Sequence, residues 1–119
     1  MIIKIATMFS NIPGSRYISD GEFSGEEFRT KLLEPAYLLC SEDNKTLIID
    51  LDGSYGYSTG FLEESFGGLV RLGYSYKKIL NTIEFISLEE PQLIDEIKKY
   101  IIEEGLRTNI NKKNIYNIR

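Results

Sequence analysis

The stretch Thr46-Leu47-Ile48-Ile49-Asp50-Leu51-Asp52-Gly53-Ser54-Tyr55-Gly56-Tyr57-Ser58-Thr59-Gly60-Phe61-Leu62 decides the fold. Thr46 to Leu51 packs four apolar residues around one Asp, too short for a helix and too apolar for an exposed edge, and so predicts a buried central strand. Asp52 to Ser58 is a polar, Gly-rich loop. Beyond it Phe61, Leu62, Phe66, Leu69 and Val70 share one helical face until Gly73 ends the segment. Upstream, Ser24-Gly25-Glu26-Glu27 has the form of a capping box, which starts a helix burying Phe28, Leu32, Ala36, Leu39 and Cys40. Pro35 removes a backbone donor in that helix, so a kink or restart is expected near Glu34. Met1 to Phe9 reads as a strand, Asn11 to Gly14 as a turn, and Arg16 to Phe23 as a small hairpin or structured loop around Asp20-Gly21.

Downstream, Tyr74 to Asn81 predicts a short helix capped by Ser75, and Thr82 to Ser87 another strand. Glu89 and Glu90 before Pro91 open a last helix, whose stripe Leu93, Ile94, Ile97, Tyr100 and Ile101 should end at Gly105. Strands separated by helices require crossovers, so the expected class is α/β: a small mixed, mostly parallel sheet flanked by helices. In such sheets sites gather beyond the carboxyl ends of strands, which makes Asp52 to Ser58 the first suspect.

The 119 residues fit one domain, expected over 1–105, with a basic tail over 106–119. Four of the fourteen basic residues lie in that tail, so the rest of the chain sets ten positive charges against eighteen negative ones, a balance of −8. The overall net charge of −4 argues against nucleic-acid binding, and no apolar run approaches a membrane span. With no signal-peptide pattern at the N-terminus, a cytoplasmic location is expected. The chain has no His and a single Cys, which removes the usual zinc sets, the Ser-His-Asp triad and the Cys-His pair. No cofactor and no enzymatic activity are expected.

The segment Ile48-Ile49-Asp50-Leu51-Asp52-Gly53, with Tyr57-Ser58-Thr59-Gly60-Phe61-Leu62 at a helix head, resembles the signature of STAS domains, the modules of anti-sigma-factor antagonists. Further blocks extend the likeness: Gly14-Ser15-Arg16, Asp20-Gly21-Glu22-Phe23-Ser24-Gly25-Glu26-Glu27-Phe28-Arg29, Leu33-Glu34-Pro35, and Phe61-Leu62-Glu63-Glu64-Ser65-Phe66-Gly67-Gly68-Leu69. Together they resemble the STAS-like family of unknown function from about Gly14 to Gly105. The resemblance implies a partner protein, of the histidine-kinase-like ATPase type, that reads the strand-to-helix loop. It also implies phosphorylation at the helix start, which an ungapped match from Asp50 places at Thr59, with Ser58 adjacent. Ser58 stands where the antagonists carry an Asp, and Phe61 where they carry a Gly.

The residues themselves allow plainer roles. Ser58 or Thr59 would serve as an N-cap. Gly67-Gly68 is expected to pack closely on the sheet, since two glycines in a helix cost about 2 kcal/mol relative to alanines. Asp50 and Asp52 are a weak metal signal, and Asp52-Gly53 reads better as a turn. Arg16 would pair with Asp20 or present its guanidinium to a partner. Tyr55 and Tyr57 are interface anchors or pack back on the domain, and Cys40 is a buried, inert thiol. The leading expectation is a non-enzymatic regulatory module that binds a protein through Asp52, Tyr55, Tyr57, Ser58, Thr59, Phe61 and Arg16. The alternative is a small-molecule or nucleotide sensor holding an anion at the helix N-terminus. A homo-oligomer is left open.

Overall fold

In a computed structural model, the backbone is described for residues 1–117 and the side chains for residues 1–109. Three short strands, β1 (Ile2–Lys4), β2 (Leu47–Asp50) and β3 (Ile83–Ile86), form one parallel sheet in the order β1-β2-β3. The expected central strand is central: Ile49 lies opposite Ile3 on one side and Phe85 on the other. Side-chain alternation then divides the sheet. Ile3, Leu47, Ile49 and Ile83 are buried, whereas Ile2 and Glu84 are exposed and Lys4, Ile48, Asp50 and Ile86 only partly covered. Among the described residues no helix is long and apolar enough to cross a membrane.

The predicted strand over Met1 to Phe9 is shorter than expected. After Lys4 the chain makes a helical turn, α1 (Ile5–Met8), with the Phe9 and Ser10 N–H groups both donating to the Ile5 carbonyl at 2.9 Å. A straight strand would carry Phe9 roughly 16 Å beyond Lys4. The turn instead returns its ring to Phe23, Phe28 and Phe61, with centroids 5.7, 5.4 and 6.2 Å away. Arg16 to Phe23 is a structured loop and not a hairpin. Its one regular feature is a 3₁₀ turn at Ile18–Asp20, held by the Asp20 carboxylate accepting the Tyr17 N–H.

Helix α2 (residues 25–42) starts where Ser24 predicts, with the Ser24 hydroxyl accepting the Glu27 N–H at 3.0 Å. The Glu27 carboxylate does not complete the box; it pairs with Lys31. In place of a kink, the helix widens into a π turn over Arg29–Leu33, where the Glu34 N–H reaches the Arg29 carbonyl. Pro35 follows directly and has no N–H for the Lys31 carbonyl, so the wider turn absorbs the missing bond. One extra residue in the turn rotates everything after it by about 100°. The buried positions therefore run Phe28, Leu33, Ala36, Tyr37 and Cys40, while Leu39 is 56% exposed and Leu32 half-buried.

Helix α3 (residues 59–71) contains a second π turn, Glu63–Gly67, and buries Phe61, Leu62, Phe66, Leu69 and Val70 as the periodicity predicts. Gly73, at φ 107°, ends it. Helix α4 (Tyr76–Thr82) is capped by Ser75 and runs straight into β3. Helix α5 (Gln92–Asn117) buries Leu93, Ile97 and Ile101, but it does not stop at Gly105. A Cβ there would run into the ring of Tyr76, so this glycine serves the contact between α4 and α5 and not a helix end. The expected change of character after residue 105 falls inside a continuous helix. The side chains of Ile110, Ile115, Tyr116 and Ile118 lie outside the described residues.

Candidate functional site

β2 delivers its carboxyl end into the 51–58 loop, and that loop is held on every side. Both carboxylate oxygens of Asp52 accept backbone N–H groups at 3.0 Å, one from Leu88 and one from Glu89. These two bonds keep the Asp52 carboxyl below its ordinary range. Glu89 returns the contact by accepting the Gly53 N–H, where φ is +91° and glycine is favoured. The Tyr55 N–H donates to Asn11, and the Tyr57 hydroxyl donates to the Leu51 carbonyl at 2.8 Å. Burial pushes the Tyr57 phenol up to about 12. Asp50 accepts the Asp52 N–H and pairs with Lys4, so both aspartates have structural partners. Among the described residues no group of three Cys, Asp or Glu is placed to share a metal ion.

The helix start has a clear division of labour. Ser58 is the N-cap: its hydroxyl accepts the Phe61 N–H and donates to the Gly14 carbonyl, both at 3.0 Å. Thr59 follows as the first helical residue, exposed, and no hydrogen bond to its hydroxyl is present among the described residues. The loop residues separate in the same manner. Tyr55 is 86% exposed, Tyr57 is half-buried on Phe61 at 5.8 Å, and Phe61 is fully buried. Phe61 therefore positions this surface and does not form part of it, contrary to the sequence expectation.

Arg16 does not pair with Asp20. It crosses to α3, 2.5 Å from Glu63 and 3.5 Å from Glu64. This happens because segment 14–16 straps the two helix starts together: Ser15 and Arg16 carbonyls accept the Gly25 and Glu26 N–H groups, and Gly14 accepts from Ser58. The pairing extends inward. Glu64 is bound by Arg29 at 2.9 Å and Arg71 at 2.9 Å, Arg71 also binds Glu63, and Glu104 of α5 meets Arg71 and Arg107. Burial would raise the Glu63 carboxyl, but hydrogen bonds from Arg71 and Arg16 outweigh it and hold the group low. Gly67 and Gly68 belong to this network and not to a sheet contact: a Cβ on Gly67 would strike the Glu63 carboxylate, and one on Gly68 the Arg29 guanidinium.

Sequence reasoning missed this network and two exposed residues beside the loop. Arg71 stands seven and eight residues after Glu64 and Glu63, two helical turns, which is a legible signal. Leu88, 84% exposed, and Ile12, 58% exposed, sit on the two segments hydrogen-bonded to the loop. Nothing local in the sequence marks either. Cys40 is 2% exposed, as its place on the apolar face predicts.

A family model described as a STAS-like domain of unknown function (DUF4325) matches residues 24–93, more than half of the chain. No curated protein and no solved structure matches.

Proposed function

The chain belongs to that STAS-like family, and from this premise we propose a non-enzymatic regulatory module that docks a partner protein, a histidine-kinase-like ATPase or similar, through the 52–59 surface. The observation that carries the reading is the contrast between an immobilised loop base and the groups it displays. Asp52, Tyr57 and Ser58 are tied into the fold, while Tyr55 and Thr59 face solvent, with Leu88 and Ile12 on the adjoining segments. Exposed aromatic and aliphatic side chains on a rigid frame lose little entropy on binding, which is what an interface anchor requires.

Between the two hydroxyls, Thr59 is the residue to be phosphorylated and Ser58 the cap. Modifying Ser58 would break bonds to both Gly14 and Phe61, whereas Thr59 gives up none among the described residues. A phosphate at the helix start would meet the N-terminal dipole favourably and lie one turn from Glu63, which repels it. The two effects together shift affinity without unfolding the domain.

Affinity capture with the full chain, followed by calorimetry on the recovered partner, tests this reading. Tyr55→Ala is expected to weaken binding by about 2 kcal/mol. Thr59→Glu should change affinity by roughly 1 to 3 kcal/mol. Equal affinities for wild type and both variants would place the interface elsewhere.

A further inference from the structure

At the opposite end of the sheet, where β2 and β3 begin, a cavity of about 280 Å³ lies among the last turn of α2, the 43–46 connection and the end of α4. Its walls are mostly polar and include no carboxylate: Asn44, Lys45, Lys78, Asn81 and Thr82 line it with two further hydroxyl residues. In a chain of net charge −4 this is an unusual collection. The lysines that form ion pairs among the described residues are Lys4, Lys31 and Lys99, so Lys45 and Lys78 are uncommitted there.

Thr82 is the second observation. It is only 7% exposed, and no hydrogen bond of its hydroxyl is present among the described residues, unlike the Ser41 hydroxyl beside it, which donates to Leu38. No fully enclosed side-chain polar atom among the described residues lacks a partner, so the Thr82 hydroxyl opens into the cavity. A hydroxyl on a side chain 7% exposed, open to a cavity that Lys45 and Lys78 also line, is placed to bond a polar ligand there.

We propose that this cavity binds a small phosphomonoester. Lys45 and Lys78 take the phosphoryl oxygens, which carry close to two negative charges, and the Asn44 and Asn81 amides with the Thr82 hydroxyl take hydroxyl groups on the carbon skeleton. The site is separate from the 52–59 surface and does not depend on its role. A competing reading gives Lys45 to the carbonyl end of α2, where a cation is favoured without any ligand, and leaves Lys78, in the first turn of α4, to solvent.

Titration of the full chain with inorganic phosphate, ribose 5-phosphate and ribose, at fixed ionic strength and followed by calorimetry and amide chemical shifts, separates the two. Ribose 5-phosphate should bind saturably and more tightly than phosphate, and ribose should not bind. Lys45→Ala with Lys78→Ala should weaken the ester about tenfold or more, and Thr82→Val should weaken the ester while leaving phosphate unchanged. Absence of saturation, equal affinity for phosphate and ester, or undiminished binding by the double lysine variant would overturn the proposal. A double variant that loses thermal stability, from a wild type that binds none of the three, would overturn the proposal and assign Lys45 to the helix end.

Discussion

Glu64 holds the centre of the charged network with a side chain only 9% exposed, and its most buried partner, Arg29, is 12% exposed. Removing one member of such a pair leaves an uncompensated charge in a poorly solvated place, so Glu64→Ala is expected to cost about 3 kcal/mol in urea unfolding. The exposed Lys31–Glu27 pair is the natural control, and Lys31→Ala should cost about 0.5 kcal/mol or less. Gly68→Ala tests the same network from its other side. The added methyl displaces the Arg29 guanidinium from Glu64, at an expected cost of about 1 to 3 kcal/mol, against about 1 kcal/mol recovered in helix propensity. Tyr57 gives a pH signature. Its phenol ionises near 10 when unfolded and at about 12 when folded, so its contribution is complete below pH 10 and disappears as pH rises through 12. Tyr57→Phe should flatten that alkaline loss and cost about 1 kcal/mol at neutral pH, read from denaturation curves across pH.

The elements divide according to what physics left in the sequence. β2, β3, the start of α2 and the buried face of α3 were legible, because apolar periodicity and caps are local signals. α1 was not, since the pull on Phe9 comes from Phe28 and Phe61 far along the chain. Nor was the burial of Leu33 and Tyr37, because a π turn moves the register by one and periodicity assumes a constant turn. Gly105 carried a helix-end signal that a tertiary contact with Tyr76 overrides. That a loop follows the end of β2 was legible, but which of its side chains face outward depended on hydrogen bonds to Asn11, Leu51 and Leu88. The starts of α2 and α3 also meet: a Cβ on Gly25 would strike the Phe61 carbonyl. Gly25→Ala should therefore lower the thermal midpoint, through an overpacking cost of about 1 to 3 kcal/mol against backbone that cannot swing away.

At the scale of the molecule, one charged system joins the 14–16 strap, α2, α3 and α5. The acid limb of stability should report it. Glu63 is held below its ordinary value of 4.5, so its contribution is present above about that pH and is lost as pH falls toward the folded value. Acid titration by circular dichroism should show wild type losing stability below about pH 4.5, and Glu63→Gln should lose less over the same range. The two π turns, 29–33 and 63–67, face each other across this system, with Arg29 of one bound to Glu64 of the other. Each is in effect a single inserted residue, and each sets the rotation of the helix that follows it. Relatives of this chain should therefore gain or lose the two residues together, so that gaps of one appear in pairs when their sequences are aligned, and a lineage with only one would have to rebuild the ion pair between them.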